Sequence, residues 1–213
     1  MVGYRNAGSI VYMRVLKSVD WESFFRMVHC LGDELNSKKN RFDKADILEN
    51  ALALMSSENI KWVDAVGWDH EAGRKKIEMK SQRFSLKTKT GKLKNNVSNI
   101  KLMNSLGSAK GRRPSDVIRF DILLIIDTGN DNSYSVGYIN GAEDTITDYL
   151  DFKTDGVVLK NFPMSKVKFV YDDSQSRSLG ISQNNANFKS NKNSFSYSNE
   201  KRKMQEEFIK GFI

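Results

Sequence analysis

Three side chains in the first half of the chain have the types and spacing needed for metal-assisted hydrolysis: Asp64, Glu78 and Lys80. Two carboxylates that share one small volume repel each other, and a divalent cation relieves that repulsion. Mg²⁺ takes oxygen ligands at about 2.0–2.1 Å and typically binds one or two carboxylates together with water and phosphate. A lysine beside them adds a movable positive charge. These are the parts that hydrolysis of a phosphodiester requires.

The local pattern predicts how these side chains meet. Residues 60–82 read IKWVDAVGWDHEAGRKKIEMKSQ, with two apolar runs on either side of a polar, Gly-containing stretch. This pattern predicts one β-hairpin with its turn near residues 69–73. A hairpin centred there places Asp64 directly opposite Glu78, with Lys80 on the same face, because alternate side chains of a strand share a face.

Asp64, thirteen intervening residues and then Glu78-Met79-Lys80 resemble the signature of the PD-(D/E)XK nuclease superfamily, and the chain length resembles that of its type II restriction endonucleases. Val63 stands where the family usually has proline. The resemblance implies an α/β fold, with a central mixed β-sheet flanked by helices in a restriction-endonuclease-like core. It also implies catalysis by Asp64, Glu78 and Lys80, with Mg²⁺ held by Asp64 and Glu78. In this family the preceding helix often adds an acidic metal ligand, and Glu49 matches that position; its alternatives are a capping role or simple exposure.

The basic residues are concentrated in one segment. Residues 81–115 contain nine basic and no acidic side chains, against a net charge of +8 for the whole chain, so the rest of the chain has a net charge of −1. Such a segment favours a polyanionic partner, because neutralised phosphates release counterions. A solvated loop without a partner is the alternative. The residues that we predict to contact DNA are Gln82, Arg83, Lys87, Lys89, Lys92, Lys94, Lys110, Arg112 and Arg113.

Length and composition limit the other classes of protein. The 213 residues fit one domain, 1–213, with a full-sized core, and two small domains are the alternative. The longest aliphatic run, residues 122–126, is far too short to cross a bilayer, and arginines interrupt any apolar core near the start. One cysteine and two histidines leave neither an intramolecular disulfide nor a zinc-type cluster. We therefore expect a cytoplasmic protein.

Periodicity predicts the elements that position these residues. Helical spacing follows Asp20, a candidate N-cap, and recurs over residues 43–56, where Asp43 or Asp46 could cap the helix. A further helix is expected within 97–106, a short one over 142–150 and a terminal one from residue 198 or 199. The near-continuous apolar run 117–128 predicts a central strand that is buried on both faces. Further strands are predicted at 133–139, 156–159 and 167–171, and the Ser/Asn-rich segment 174–200 is too polar for a core of its own.

Together with the resemblance, these features lead us to expect Mg²⁺-dependent, sequence-specific cleavage of double-stranded DNA. By analogy with type II restriction enzymes, we expect a homodimer and a DNA methyltransferase in the same restriction-modification system. The alternatives are a structure-selective nuclease such as a Holliday junction resolvase, a DNA-binding protein without catalysis, and an RNA endonuclease domain from a viral polymerase.

Overall fold

A computed structural model describes residues 14–36, 41–81, 95–104, 113–127, 134–141, 146–153, 156–172 and 199–213. The chain divides into two compact units, one formed by residues 1–62 and 176–213 and the other by residues 63–175. The single domain expected from the sequence stays a prediction.

The elements follow one another in a mixed α/β order. In chain order they are α1 (Trp21–Asn36), α2 (Arg41–Leu54), β1 (Ile60–Ala65), β2 (Trp68–Ala72), β3 (Lys75–Ser81), β4 (Ile100–Asn104), α3 (Pro114–Val117), β5 (Ile122–Asp127), β6 (Ser135–Asn140), β7 (Leu150–Lys153), β8 (Gly156–Leu159), β9 (Lys168–Asp172) and α4 (Asn199–Lys210). Two short 3-10 turns add Ile146–Tyr149 and Met164–Lys166.

The first unit contains three of the helices. Helix α1 begins after Asp20, whose Oδ1 accepts a hydrogen bond of 3.0 Å from the amide of Ser23, so the predicted N-cap is confirmed. That hydrogen bond is the main cause of the lowered pKa of Asp20. Helix α2 begins at Arg41 and packs against α1 and α4. Asp43 and Asp46 therefore lie inside the helix, and the prediction that one of them caps it is wrong.

The larger sheet has six strands in the order β1-β2-β3-β5-β6-β9. Strand β3 is parallel to β5, whereas the pairs β2–β3, β5–β6 and β6–β9 are antiparallel. The first five residues of β5 are buried, which confirms a central apolar strand. That strand occupies only residues 122–127, because Pro114 begins the short helix α3 before it.

The smaller sheet has the order β4-β8-β7, with both pairs antiparallel. The prediction of a helix within 97–106 is wrong, because residues 100–104 form β4. The apolar residues fit both periods; Ile100 is fully buried and Lys101 is exposed, and pairing with β8 selects the strand. Of the expected helix over 142–150, residues 142–145 lie outside the described residues, residues 146–149 form a 3-10 turn, and residue 150 begins β7.

The predicted hairpin over residues 60–82 is also wrong, because the stretch contains three strands and two turns. Gly67, with φ +96°, lies in the first turn, and Gly73, with φ +61°, lies in the second. Both have the positive φ that glycine adopts without steric cost. Strand β2 therefore separates β1 from β3, and Asp64 does not lie opposite Glu78.

At the level of fold class the expectation is confirmed: the chain is mixed α/β, with a large mixed sheet, a smaller sheet and a few helices. Among the helices that the structure describes, none has the length and apolar character to cross a membrane.

Candidate active site

The acidic residue that the second hairpin brings to Glu78 is Asp69. Strands β2 and β3 pair His70 with Ile77 and Glu71 with Lys76. The paired residues end at His70 and Ile77, and the residues next to them in the two strands are Asp69 and Glu78. Directly opposed residues of an antiparallel pair share a face, with Cβ atoms about 4.5–5.5 Å apart.

A hydrogen bond fixes the carboxylate of Asp69 against the Glu78-Met79-Lys80 segment. The backbone amide of Met79 donates to Asp69 Oδ2 over 2.6 Å. This amide lies between Glu78 and Lys80, the two residues that the sequence singled out. A hydrogen bond to the charged form of a carboxylate stabilises that form.

Glu78 and Lys80 form an ion pair on one face of β3. The Nζ of Lys80 contacts Oε1 of Glu78, and their side chains are 29% and 7% exposed. A buried carboxylate requires a compensating charge, because its desolvation is expensive. Lys80 supplies that charge and still reaches the solvent. The structure thus confirms that Glu78 and Lys80 share a face.

The same face continues onto β5. Glu78 pairs with Leu123 and Lys80 pairs with Ile125 in the parallel register. Both apolar partners are fully buried and belong to the core that also contains Ile100 of β4 and Leu159 of β8. The smaller sheet therefore packs on the face of the larger sheet that carries Glu78 and Lys80. The carboxylate-bearing residue Glu78 therefore lies beside this apolar core.

The other polar residues of β2 and β3 are engaged with one another. Trp68 Nε1 donates to Glu71 Oε1 over 3.1 Å, and Lys76 Nζ lies 3.8 Å from the centroid of a Trp68 ring. Asp121, just before β5, accepts the amide of Lys76 at 2.9 Å and contacts Lys75 Nζ at 3.4 Å. The Trp68–Glu71 hydrogen bond lies within β2, whereas Lys76 links β3 to β2 and Asp121 links β3 to the start of β5, so we assign Glu71 and Asp121 structural roles.

The donor set fits a hard divalent cation. Asp69 and Glu78 offer only carboxylate oxygens, which is the ligand chemistry of Mg²⁺, and Mg²⁺ completes its octahedron with water and phosphate oxygens. In the described part of the chain, no group of three or more His, Cys, Asp or Glu side chains is placed to hold a metal. Asp69 and Glu78 are therefore the two carboxylates that we consider as candidate ligands.

Several predicted residues stay predictions. Asp64 lies in β1, and its side chain is outside the described part. Glu49 belongs to the first unit, where its Oε2 accepts a hydrogen bond of 3.0 Å from Trp62 Nε1. Arg113 is exposed and immediately precedes α3. The other predicted DNA contacts lie outside the described residues, namely Gln82, Arg83, Lys87, Lys89, Lys92, Lys94, Lys110 and Arg112, as does nearly all of the Ser/Asn-rich segment.

Asp69 was missed because the sequence reading placed it in a turn. The signal that identifies its strand is the pair of glycines, Gly67 and Gly73, which bracket five residues of strand-forming length. Two glycines at that spacing fit two tight turns better than one broad turn. An interpretation with one turn at each glycine predicts that β3 pairs with residues 68–72.

Comparison of the chain with protein-family models, with curated proteins and with solved structures found no match.

Proposed function

We propose that this chain is a Mg²⁺-dependent endonuclease that hydrolyses phosphodiester bonds of double-stranded DNA at a short specific sequence. The observation that supports this most directly is the carboxylate of Asp69 at the amide of Met79, between Glu78 and Lys80. Two carboxylates and an amine on adjacent strands are the groups that the chemistry requires.

In this proposal Asp69 and Glu78 hold the metal. Bound Mg²⁺ would polarise the scissile phosphate and lower the pKa of an attacking water. Asp69 would be oriented by the Met79 amide, and Glu78 by its position in a central strand. A ligand held by its surroundings costs little reorganisation when the substrate arrives.

Lys80 would act as a charge at the exposed side of the site. Its Nζ contacts Glu78 Oε1, so it would position a water or neutralise charge building up on the phosphate oxygens.

The activity is tested by incubating the protein with phage DNA and plasmid DNA in Mg²⁺ and in EDTA. Discrete fragments in Mg²⁺ alone support sequence-specific cleavage, whereas DNA that stays intact in both refutes the proposal. Lys80→Ala should keep DNA binding and lose cutting. The matched control is Lys75→Ala in the same strand, since Lys75 pairs with Asp121 and should be dispensable for cutting.

The same assay, with a four-way junction added as a substrate, distinguishes two alternative functions. A Holliday junction resolvase would cut a four-way junction in preference to plasmid. A DNA-binding protein without catalysis would leave all substrates intact, and the Glu78–Lys80 pair is compatible with that role because it satisfies both charges internally.

The partners belong to the same proposal. A sequence-specific enzyme of this kind would act in the cytoplasm, as a homodimer on two-fold symmetric DNA, and with a cognate DNA methyltransferase. Sedimentation that shows a monomer on cleavable DNA would contradict the dimer.

A further inference from the structure

The outer face of the smaller sheet carries a cluster of positive charge. Lys101 of β4, Val158 of β8 and Asp151 of β7 lie in one row across the three strands. The next row, Ile100, Leu159 and Leu150, faces the core. Because side chains alternate along a strand, Lys153 lies on the outer face with Asp151. Lys160, directly after β8, follows the same alternation.

Asp151 bridges two of these lysines. Its Oδ2 is 3.7 Å from Lys153 Nζ and 3.6 Å from Lys160 Nζ, and both lysine side chains are 49% exposed. One carboxylate oxygen thus holds two ammonium groups close to each other. Exposed ion pairs are worth only about 0.2–1 kcal/mol, so either lysine can exchange Asp151 for another anion at little cost.

From these contacts we propose that this outer face, Lys101, Lys153 and Lys160 around Asp151, is a contact surface for the phosphate backbone of duplex DNA. This inference rests on the proposed function for the choice of DNA as the partner. Of the side chains named here, three are lysines and one is a carboxylate. A phosphate oxygen can take the place between Lys153 and Lys160 that Asp151 Oδ2 occupies.

Two further observations point to DNA as the occupant. Strand β4 lies in the middle of the basic segment 81–115, so the surface continues the most positive part of the sequence. The smaller sheet also packs on the face of the larger sheet that carries Glu78 and Lys80. Duplex DNA on the outer face would therefore lie on the same side of the larger sheet as Glu78 and Lys80.

Fluorescence anisotropy with a labelled duplex in EDTA measures binding without cleavage. Lys153→Gln/Lys160→Gln should bind about tenfold more weakly at moderate salt, and the slope of log K against log salt should fall in magnitude by about 1.8, because each phosphate contact contributes about 0.9. The charge-matched control is Lys17→Gln/Lys203→Gln, which removes two exposed lysines from the first unit. It should change the slope by less than half as much.

Asp151→Asn gives the opposite change. The substitution removes the carboxylate that competes with DNA phosphate for Lys153 and Lys160. It should strengthen DNA binding by about 1.5- to 5-fold, which corresponds to the free energy of a surface ion pair. Thermal unfolding of each variant confirms that the fold is retained.

The possible results distinguish a failure of the proposed DNA-contact surface from a failure of the proposed nuclease activity. If the wild-type protein does not bind duplex, or if the Lys153/Lys160 variant matches its control in affinity and slope, the surface is refuted even when the protein cuts DNA. If the variant loses binding and slope but the wild-type protein never cuts in Mg²⁺, the surface stands and the nuclease proposal fails.

Discussion

Lys80→Ala should destabilise the protein in a way that Mg²⁺ reverses. The variant leaves Glu78, whose side chain is only 7% exposed, without its cation. Breaking a fully buried ion pair costs about 3–5 kcal/mol, and breaking an exposed one costs about 0.2–1 kcal/mol. Because Lys80 is 29% exposed, the pair lies between these limits, and we expect a loss of about 2 kcal/mol in EDTA.

Mg²⁺ should return most of that loss, because it takes over from Lys80 as the counter-charge of Glu78. A ligand that binds only the folded state at tenfold its dissociation constant stabilises by about 1.4 kcal/mol. The wild-type protein should gain less at the same concentration, since Lys80 Nζ occupies Glu78 Oε1 and its charge repels the metal. The variant should therefore approach wild-type stability in Mg²⁺ while it remains unable to cut.

Calorimetric unfolding of both proteins in EDTA and in Mg²⁺ measures this difference, and about 1 kcal/mol corresponds to roughly 2–4 °C for a chain of this size. Lys75→Ala is the control. Its partner Asp121 is 31% exposed, so the loss should be below about 1 kcal/mol and equal in both buffers. A Lys80→Ala deficit of the same size with and without Mg²⁺ would refute a metal site at Glu78.

Two further predictions concern Asp69 and Asp20. Asp69→Asn keeps an oxygen for the Met79 amide, so stability should change by less than about 1 kcal/mol, whereas cleavage should fall by about 100-fold or more and by more than in Asp64→Asn. Kinetics of both variants in Mg²⁺ test this, and the reverse order would return the ligand role to Asp64. Asp20→Ala should cost about 1 kcal/mol at pH 7. Because the pKa of Asp20 is lowered in the fold, this contribution is present above the ordinary value of 3.8 and is lost as pH falls through the lower folded value. Chemical denaturation at pH 7 and at pH 2 measures the difference, and an equal cost at both values would contradict capping by the charged form.

The elements with the strongest sequence patterns were predicted well. The apolar run of residues 117–128 predicted a strand buried on both faces, and β5 occupies residues 122–127 of it, between β3 and β6. The start of α1 followed from Asp20, because an N-cap is a local feature of the chain. Residues 97–106 were predicted wrongly, since their apolar spacing suits a helix and a strand equally, and only the pairing with β8 decides between them.

The candidate site could be predicted only in part, because some of its features are local in the sequence and others depend on strand pairing. Glu78 and Lys80 are two residues apart on one strand, so their shared face needs nothing beyond a strand. The identity of the opposing carboxylate depends on the number of turns between residues 60 and 82. One additional turn at Gly67 moves Asp64 away by a whole strand and brings Asp69 to Glu78. A single glycine therefore decides which aspartate is the candidate ligand.

The parallel pairing of β3 with β5 places the basic segment in the connection between these two strands. A parallel neighbour requires the chain to cross over from Ser81 at the end of one strand to Ile122 at the start of the other. The nine basic residues all fall within that crossover, which begins one residue after Lys80 and includes β4. The topology thus starts the positive segment at the site and leads it through the smaller sheet, where Lys101 lies in one row with Asp151. If DNA binding proved insensitive to Lys101→Gln as well as to the Lys153/Lys160 variant, the part of the crossover that forms β4 would be left with a structural role in the smaller sheet.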